Sequence, residues 1–186
     1  MFESLIQLDK QVLIFINNLG TEQWDPFWLA VTNQFSWIPL FALILFLILK
    51  NFGWKRGGVM ILFLIALVAI SDQFTVFVKD NSYRLRPIND PEIAHLLRVL
   101  VKPQSFSFMS GHATTSTFFS VFVIFLLREK YKKIYLILIF PFLFAFSRLY
   151  LAVHFPLDVI SGILTGLIFA NIYYFFFKKV DEKLFF

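Results

Sequence analysis

Long stretches of apolar residues alternate with short charged segments along this chain. A bilayer core of about 30 Å is crossed by an α-helix of about 20 residues, and five of the stretches reach that length. Two of the five do so only by extending past a charge, at Asp72 and at Arg148. We therefore predict five transmembrane helices, over residues 26–49, 57–79, 110–128, 133–151 and 157–177.

The first 20 residues show helical periodicity but carry too many charges to cross a bilayer. The pattern predicts an amphipathic helix on the membrane surface. A cleaved signal peptide is the alternative, and acidic Glu3 and the Asp9–Lys10 pair argue against it. The apolar positions of this helix are Leu5, Leu8, Val12, Phe15 and Ile16.

Residues 90–102 form a second polar segment with an apolar stripe. Asp90 is a suitable N-cap, and Pro91 suits the first helical position. We predict a short amphipathic helix at the periplasmic face, acting either as scaffold or as a guide for the substrate's headgroup. Its apolar positions are Ile93, Leu96, Leu97, Leu100 and Val101.

Composition agrees with a membrane protein. The chain is 59% apolar and 16% charged, against roughly 45–50% and about 25% in soluble domains. We predict an all-α, polytopic membrane helix bundle that forms a single domain over residues 1–186. The chain has no cysteine, which excludes disulfides, thiolate metal sites and cysteine nucleophiles. The net charge of +5 comes from basic residues between apolar runs, so we expect no nucleic-acid partner.

The positions of the lysines and arginines predict the orientation. If the link between the first two helices faces the cytoplasm, ten of the 17 cations lie on that side. The amino terminus and the links over 79–110 and 151–156 then face the exterior. The ten cations are Lys50, Lys55, Arg56, Arg128, Lys130, Lys132, Lys133, Lys178, Lys179 and Lys183.

The two outer links carry groups that together suit a phosphate. Lys79 supplies a point charge, while Arg86 and Arg148 supply planar forks that match phosphate oxygens. Ser110 is a suitable N-cap for the third helix. Gly111 allows the helix backbone to approach an anion closely.

Two histidines in the same links provide groups for phosphoryl transfer. His154 precedes Asp158 by four residues, across a helix start marked by Pro156. Asp158 can therefore hold one ring nitrogen and leave the other as a nucleophile. His112, at the start of the third helix, can protonate a leaving group.

Three sequence motifs resemble those of a known family. Their order and spacing are similar to the signatures of the type 2 phosphatidic acid phosphatase superfamily, integral membrane lipid phosphatases related to the vanadium haloperoxidases. One departure is Met109, where the second motif usually has proline. The motifs are Lys79-x6-Arg86-Pro87, Ser110-Gly111-His112 and Ser147-Arg148-x5-His154-x3-Asp158. The resemblance implies a phosphohistidine nucleophile at His154, its partner Asp158, a general acid at His112, and phosphate ligands at Lys79, Arg86, Ser110, Gly111 and Arg148.

Four other interpretations concern the neighbourhood of these motifs. A metal site built on histidine and aspartate is disfavoured, because the cations would repel a divalent ion; we expect no metal and no cofactor. We interpret Arg84 as an anchor that snorkels to the membrane interface, and His95 as an ordinary interfacial residue. We expect Asp72 to steady Lys79 or to contact a neighbouring helix rather than to act in catalysis.

The sequence therefore predicts a metal-independent phosphatase of a lipid monoester or diphosphate in a bacterial inner membrane, with its site facing the periplasm. Its partners are the lipid phosphate and the surrounding lipids; the oligomeric state is left open. Undecaprenyl diphosphate is the favoured substrate, ahead of phosphatidylglycerol phosphate, phosphatidic acid and lipid A phosphate. The alternatives are a lipid-to-lipid phosphotransferase and a non-catalytic anion-binding membrane protein.

Overall fold

The computed structural model describes residues 2–186, and every regular element in that range is helical. Short 3₁₀ segments at Gln34–Trp37, Pro87–Asn89, Ala94–Leu96 and Lys132–Leu138 join or extend the α-helices. The α-helices are α1 (Phe2–Asn18), α2 (Asp25–Thr32), α3 (Ile38–Ser82), α4 (Gly111–Leu127), α5 (Ile139–Tyr150) and α6 (Pro156–Phe185).

Helix α3 is a hairpin of two segments, 38–52 and 54–82. The chain reverses at Gly53, whose φ of 70° lies in the left-handed region that glycine adopts without strain. Gly57 lies against Ile48, since a Cβ at Gly57 would be 3.5 Å from the carbonyl oxygen of Ile48. On one straight helix those two residues would be about 13 Å apart along the axis. The hairpin therefore supplies the first two predicted spans.

The prediction of membrane-spanning helices is confirmed, with one correction. Three helical segments are long and apolar enough to cross a membrane: Gln34–Asn89, Lys132–Tyr150 and Pro156–Phe185. The predicted span 26–49 is wrong in one respect, because the chain breaks between α2 and α3. At the break the Asn33 side chain accepts a hydrogen bond from the Phe35 N–H (3.0 Å), which competes with helical bonding.

Helix α4 lies at the centre of the bundle, packed against α3, α5 and α6. Most of its length is buried, including Phe118, Phe122 and Val123. Its closest neighbour is α6, which presents Gly162 and Gly166 toward it. A Cβ at either glycine would lie within 2.7 Å of an α4-side carbonyl oxygen, so these two helices pack backbone to backbone.

Polar contacts join the turns at the end of the bundle that carries the clustered cations. Arg56, just after the α3 reversal, binds Asp181 near the end of α6 with a closest N–O distance of 2.5 Å. Asn51 donates a hydrogen bond to the hydroxyl of Tyr131 (2.9 Å). The turns that carry the ten predicted cytoplasmic cations therefore share one end of the bundle.

The amphipathic helix predicted over 90–102 does not form. The segment contains one 3₁₀ turn, Ala94–Leu96, between irregular stretches. The side-chain amide of Asn17 accepts a hydrogen bond from the Arg98 N–H (2.7 Å) and donates one to the Arg98 carbonyl (3.2 Å). Because α1 occupies both backbone groups of Arg98, that residue cannot continue a helix from Ala94.

Helix α1 confirms the predicted amphipathic helix and packs against the ends of α5 and α6. The side that faces the bundle carries Asp9, Leu13 and Asn17, which are at most 4% exposed. Leu13 packs with Ile93 and Phe155 in a small apolar cluster. The predicted apolar face is on the outside, with Leu5, Leu8, Val12 and Phe15 exposed.

Candidate active site

The structure brings the predicted site residues together at the end of the bundle opposite the clustered cations. The site is built from the α3–α4 connection, the first turn of α4, the end of α5 and the α5–α6 turn. Arg86 contacts His154 across these elements. The His112 ring contacts Phe144, one turn before Arg148 on α5, and Lys79 lies beside Gly111 at the start of α4.

His154 lies in the turn between α5 and α6 and is only 1% exposed. Its Nε2 atom is 3.4 Å from Nη1 of Arg86. Its Nδ1 atom is 3.5 Å from Oδ2 of Asp158 and 3.5 Å from Oγ of Ser107. The two ring nitrogens therefore face opposite kinds of group, cationic at Nε2 and anionic at Nδ1.

Burial controls the protonation of His154. Loss of water around the ring lowers the pKa of His154 to about 4, and the neighbouring cations Arg86 and Arg148 act in the same direction, while Asp158 partly offsets both. At neutral pH the imidazole is therefore uncharged. A neutral ring has a free lone pair on one nitrogen, which is the state that a nucleophile needs.

Asp158, in the first turn of α6, is completely buried. Its Oδ2 atom accepts hydrogen bonds from Ser107 Oγ (2.5 Å) and from the Phe155 N–H (2.9 Å). Its Oδ1 atom accepts from Nη1 of Arg84 (2.5 Å). Three donors besides His154 thus fix the carboxylate at the start of α6.

The interpretation of Arg84 as an interfacial anchor is wrong. Its guanidinium turns inward and binds two carboxylates, those of Asp158 and of Asp9, the latter at 2.6 Å. Buried acceptors on α1 and α6 attract the charge more strongly than the membrane interface. Sequence reasoning also missed Ser107, because nothing in its local pattern distinguishes it from the other serines of the loop.

Arg86 is held firmly by main-chain carbonyls. Its Nε donates to the carbonyl of Ser105 (2.6 Å) and its Nη1 to the carbonyl of Val153 (2.7 Å). Its Nη2 donates to Oγ of Ser105 (2.9 Å). These bonds leave the charge of Arg86 uncompensated beside the His154 ring, which favours an anion there.

Arg148 reaches the site from the last turn of α5. Its Nη1 bonds to Oγ1 of Thr32, at the end of α2. Its Nε is buried and has no hydrogen-bond partner among the residues that the structure describes. A buried donor of this kind normally has a partner, and a phosphate oxygen would provide one.

The first turn of α4 is tied to α6. Ser110 is the N-cap, and its hydroxyl accepts from the Ala113 N–H (3.4 Å), as predicted. The Ser110 N–H donates to the carbonyl of Asp158 (3.1 Å). A Cβ at Gly111 would lie 3.8 Å from Nζ of Lys79, so the second motif lies directly beside that lysine.

His112 follows in the same turn, and its ring stacks on Phe144 of α5 at a centroid distance of 4.6 Å. The ring is thereby held on the Arg148 side of the site. Met109, where the family usually has proline, is 3% exposed, and its sulfur accepts a hydrogen bond from Thr165 (3.4 Å). Packing against α6 therefore holds the residue that precedes the motif.

The remaining expectations concern residues around the site. His95 is exposed in the Ala94–Leu96 turn, and its place at the membrane interface stays a prediction. Asp72 is exposed on α3, and within residues 2–186 no hydrogen bond joins its carboxylate to Lys79. Within the same residues, no three His, Asp or Glu side chains group closely enough to hold a metal ion.

Comparison with known proteins agrees with this arrangement. The PAP2 superfamily profile matches residues 60–181. The chain is 33% identical to a lipid A 4'-phosphatase of Bacteroides thetaiotaomicron, over 99% of this chain and 83% of that protein. It is 31% identical to an undecaprenyl-diphosphatase of Sulfolobus acidocaldarius, over 72% of this chain and 60% of that protein.

A solved structure has the same fold. It is a transmembrane PAP2-type phosphatidylglycerolphosphate phosphatase from Bacillus subtilis, with a TM-score of 0.73 and 22% identity, covering 97% of this chain and 88% of that one. The profile match includes the Lys79, Ser110 and His154 motifs, and the structure brings all three to one site. The chain therefore belongs to the PAP2 superfamily.

Proposed function

We propose that this protein hydrolyses a phosphate monoester or diphosphate of a membrane lipid through a phosphohistidine at His154. One observation carries the proposal: a buried, neutral imidazole has Nε2 beside Arg86 and Nδ1 beside Asp158. An anion-binding site in a channel or transporter would use the cations but has no need of a carboxylate-oriented histidine. The enzyme is therefore favoured over the non-catalytic alternative.

In the first step, Nε2 of His154 attacks phosphorus and forms a P–N bond while the bond to the leaving oxygen breaks. His112 donates a proton to that oxygen, so the lipid product leaves neutral at that atom. The Asp158 carboxylate accepts the Nδ1–H hydrogen bond and stabilises the positive charge that develops on the ring. The Nδ1–Oδ2 distance of 3.5 Å is long for this bond, and such contacts commonly tighten when substrate binds.

In the second step, water attacks phosphorus and the P–N bond breaks. Water loses its proton to His112, which the first step left unprotonated, and inorganic phosphate is released. The two steps together thus return His112 and His154 to their starting states. If another lipid hydroxyl replaced water, the same chemistry would give the phosphotransferase alternative.

The cations of the site stabilise charge on the non-bridging oxygens. Arg86 is fixed beside Nε2, Arg148 has an unused buried Nε, and Lys79 lies beside Gly111. In phosphoryl transfer, electrostatic stabilisation and positioning account for most of the catalysis. The proposal therefore assigns these three side chains, with Ser110 and Gly111, to phosphate binding, and it requires no metal ion.

Among lipid substrates, a lipid A phosphate ranks first, because the B. thetaiotaomicron relative aligns with nearly the whole chain. Undecaprenyl diphosphate, which the sequence analysis favours, ranks second, because the S. acidocaldarius relative aligns with a smaller part of the chain, 72%. The two share a terminal phosphate and differ in the group behind it. We infer a single domain in a bacterial inner membrane. The site faces the periplasm in this proposal, because the clustered cations lie at the opposite end of the bundle and positive charge favours the cytoplasmic side.

The test is phosphate release by purified protein from lipid A, undecaprenyl diphosphate, phosphatidylglycerol phosphate and phosphatidic acid. We expect turnover with at least one lipid, unchanged by EDTA, and none with His154→Ala. The matched control is His95→Ala, which removes an exposed histidine and should keep full activity. An active His154→Ala, or strict dependence on a divalent ion, would refute the proposed mechanism.

A further inference from the structure

Arg84 joins two carboxylates that come from opposite ends of the chain. Its Nη1 binds Oδ1 of Asp158 at 2.5 Å, and its Nη2 binds Oδ2 of Asp9 at 2.6 Å. Its guanidinium also lies over the ring of Phe155, 4.3 Å from the centroid. The fork of one arginine thus connects the amino-terminal helix to the carboxylate that faces His154.

Asp9 is built into this arrangement by a second contact. Its side chain is 1% exposed, and its Oδ1 accepts a hydrogen bond from the Leu157 N–H (2.8 Å). Leu157 is in the first turn of α6, next to Asp158. Asp9 therefore holds both Arg84 and the helix turn that carries the histidine's partner.

The charges explain why two carboxylates are present. Without Asp9, the half-buried Arg84 would give its whole charge to Asp158 and weaken that carboxylate as an acceptor for the His154 ring. Asp9 shares the guanidinium, so the Asp9–Arg84 pair is neutral overall and Asp158 keeps its negative charge for Nδ1. The hydrogen bonds of the two side chains join Asp9 and Arg84 to each other, to the Leu157 N–H and to Asp158, so their route to His154 runs through Asp158.

We propose that Asp9 and Arg84 are positioning residues, which fix the location and basicity of Asp158 and thereby the nucleophilicity of His154. This inference rests on the proposed function. It makes α1, an amphipathic helix with an exposed apolar face, part of the catalytic apparatus. Removing the Asp9 charge is expected to slow the chemical step while leaving lipid binding unchanged.

The neighbouring residue provides a matched control. Lys10 ties the same helix to the α3–α4 connection through Asp90 and Glu92, both at 2.8 Å. It makes no contact with Arg84, Asp158 or His154 among its bonds. Lys10→Gln therefore loosens α1 without changing the charge next to the histidine's partner.

The experiment compares Asp9→Asn, Lys10→Gln and wild type in steady state and in a single turnover. For Asp9→Asn we expect kcat and the rate of phosphohistidine formation to fall roughly 10- to 100-fold, as for partners one layer behind a reacting group, with KM within twofold. Lys10→Gln should keep kcat within twofold. Equal losses in the two variants would mean that α1 is only scaffold, and wild-type kcat in Asp9→Asn would also overturn the inference.

If the melting temperature of Asp9→Asn shows that this variant does not fold, Arg84→Lys provides a second test of the same inference. Lysine keeps the charge but is a single point donor, so it cannot bind both carboxylates in the geometry of the fork. We expect a lower kcat with KM unchanged, and full activity would overturn the inference. Failure of the proposed function is distinguishable, because wild type itself would then form no phosphohistidine.

Discussion

The close approach of α4 and α6 gives a prediction that links packing to the site. A Cβ at Gly162 would lie 2.7 Å from the carbonyl oxygen of Ser110 and 3.0 Å from Oγ1 of Thr114. The carbonyl belongs to the backbone and cannot rotate away as a side chain does. Gly162→Ala must therefore push the N-terminus of α4, with its phosphate-binding turn, away from α6.

Two opposing effects determine how much Gly162→Ala changes the free energy of unfolding. Overpacking of this kind costs about 1–3 kcal/mol, whereas alanine gains about 1 kcal/mol over glycine in a helix. Gly58, also helical, has nothing within 4 Å of an added Cβ. Gly58→Ala should therefore gain the helix propensity of alanine without any cost of overpacking. The two variants should differ by the overpacking term, or by roughly 2–12 °C in melting temperature for a chain of this size.

The assay combines melting temperature with activity per folded molecule. Gly166→Ala is the matched variant, because its Cβ would lie 2.6 Å from the carbonyl of Thr114, one turn further from the site. We expect both α6 variants to be destabilised, with kcat/KM reduced at least tenfold only in Gly162→Ala, roughly 1.4 kcal/mol of transition-state stabilisation. A Gly162→Ala protein as stable and active as Gly58→Ala would show that the contact with Ser110 does not fix the position of the α4 N-terminus.

Three further outcomes are expected. Ser107→Ala removes a hydrogen bond to Asp158 and should lower kcat roughly tenfold, for a loss of about 1–2 kcal/mol; an unchanged kcat would exclude a role for that bond. The pKa of His154 is 6.5 in the unfolded chain and about 4 in the folded protein. Between these pH values only the unfolded chain binds the extra proton, so the free energy of unfolding decreases as the pH is lowered from 6.5 to 4. The decrease in melting temperature from pH 7 to pH 4.5 should therefore be larger for wild type than for His154→Gln, and equal decreases would contradict the assigned pKa. Asp181→Asn breaks the ion pair with Arg56 at the far end and should lower the melting temperature but not kcat; a comparable loss of kcat would contradict the separation of the two ends.

Much of the fold could be predicted because bilayer length and hydropathy constrain it strongly. The span predicted over 110–128 corresponds to Gly111–Leu127, and the two spans on either side of Gly53 correspond to the α3 hairpin. The errors lie where a few polar contacts override periodicity. Residues 90–102 have a helical stripe, but Asn17 of α1 takes the backbone groups of Arg98, and no local pattern encodes a partner 81 residues away.

The same distinction holds at the site. Motif spacing led to His154, Asp158, Arg86 and the α4 turn, and the structure brings these together. Arg84 was misassigned because an arginine near a helix end is usually an interfacial anchor, whereas here two buried carboxylates bind it. One of those, Asp9, lies 75 residues earlier in the chain, so only the packing of α1 reveals the connection.

In the proposed mechanism, the phosphoryl group passes through a covalent bond to His154. The most direct test is a rapid alkaline quench of purified protein turning over a lipid substrate labelled with ³²P at its terminal phosphate, followed by digestion and mass spectrometry. We expect label on His154 that forms and decays at rates compatible with kcat, and no label in His154→Ala. Turnover with no label on His154, or label on a different residue, would contradict the proposed mechanism.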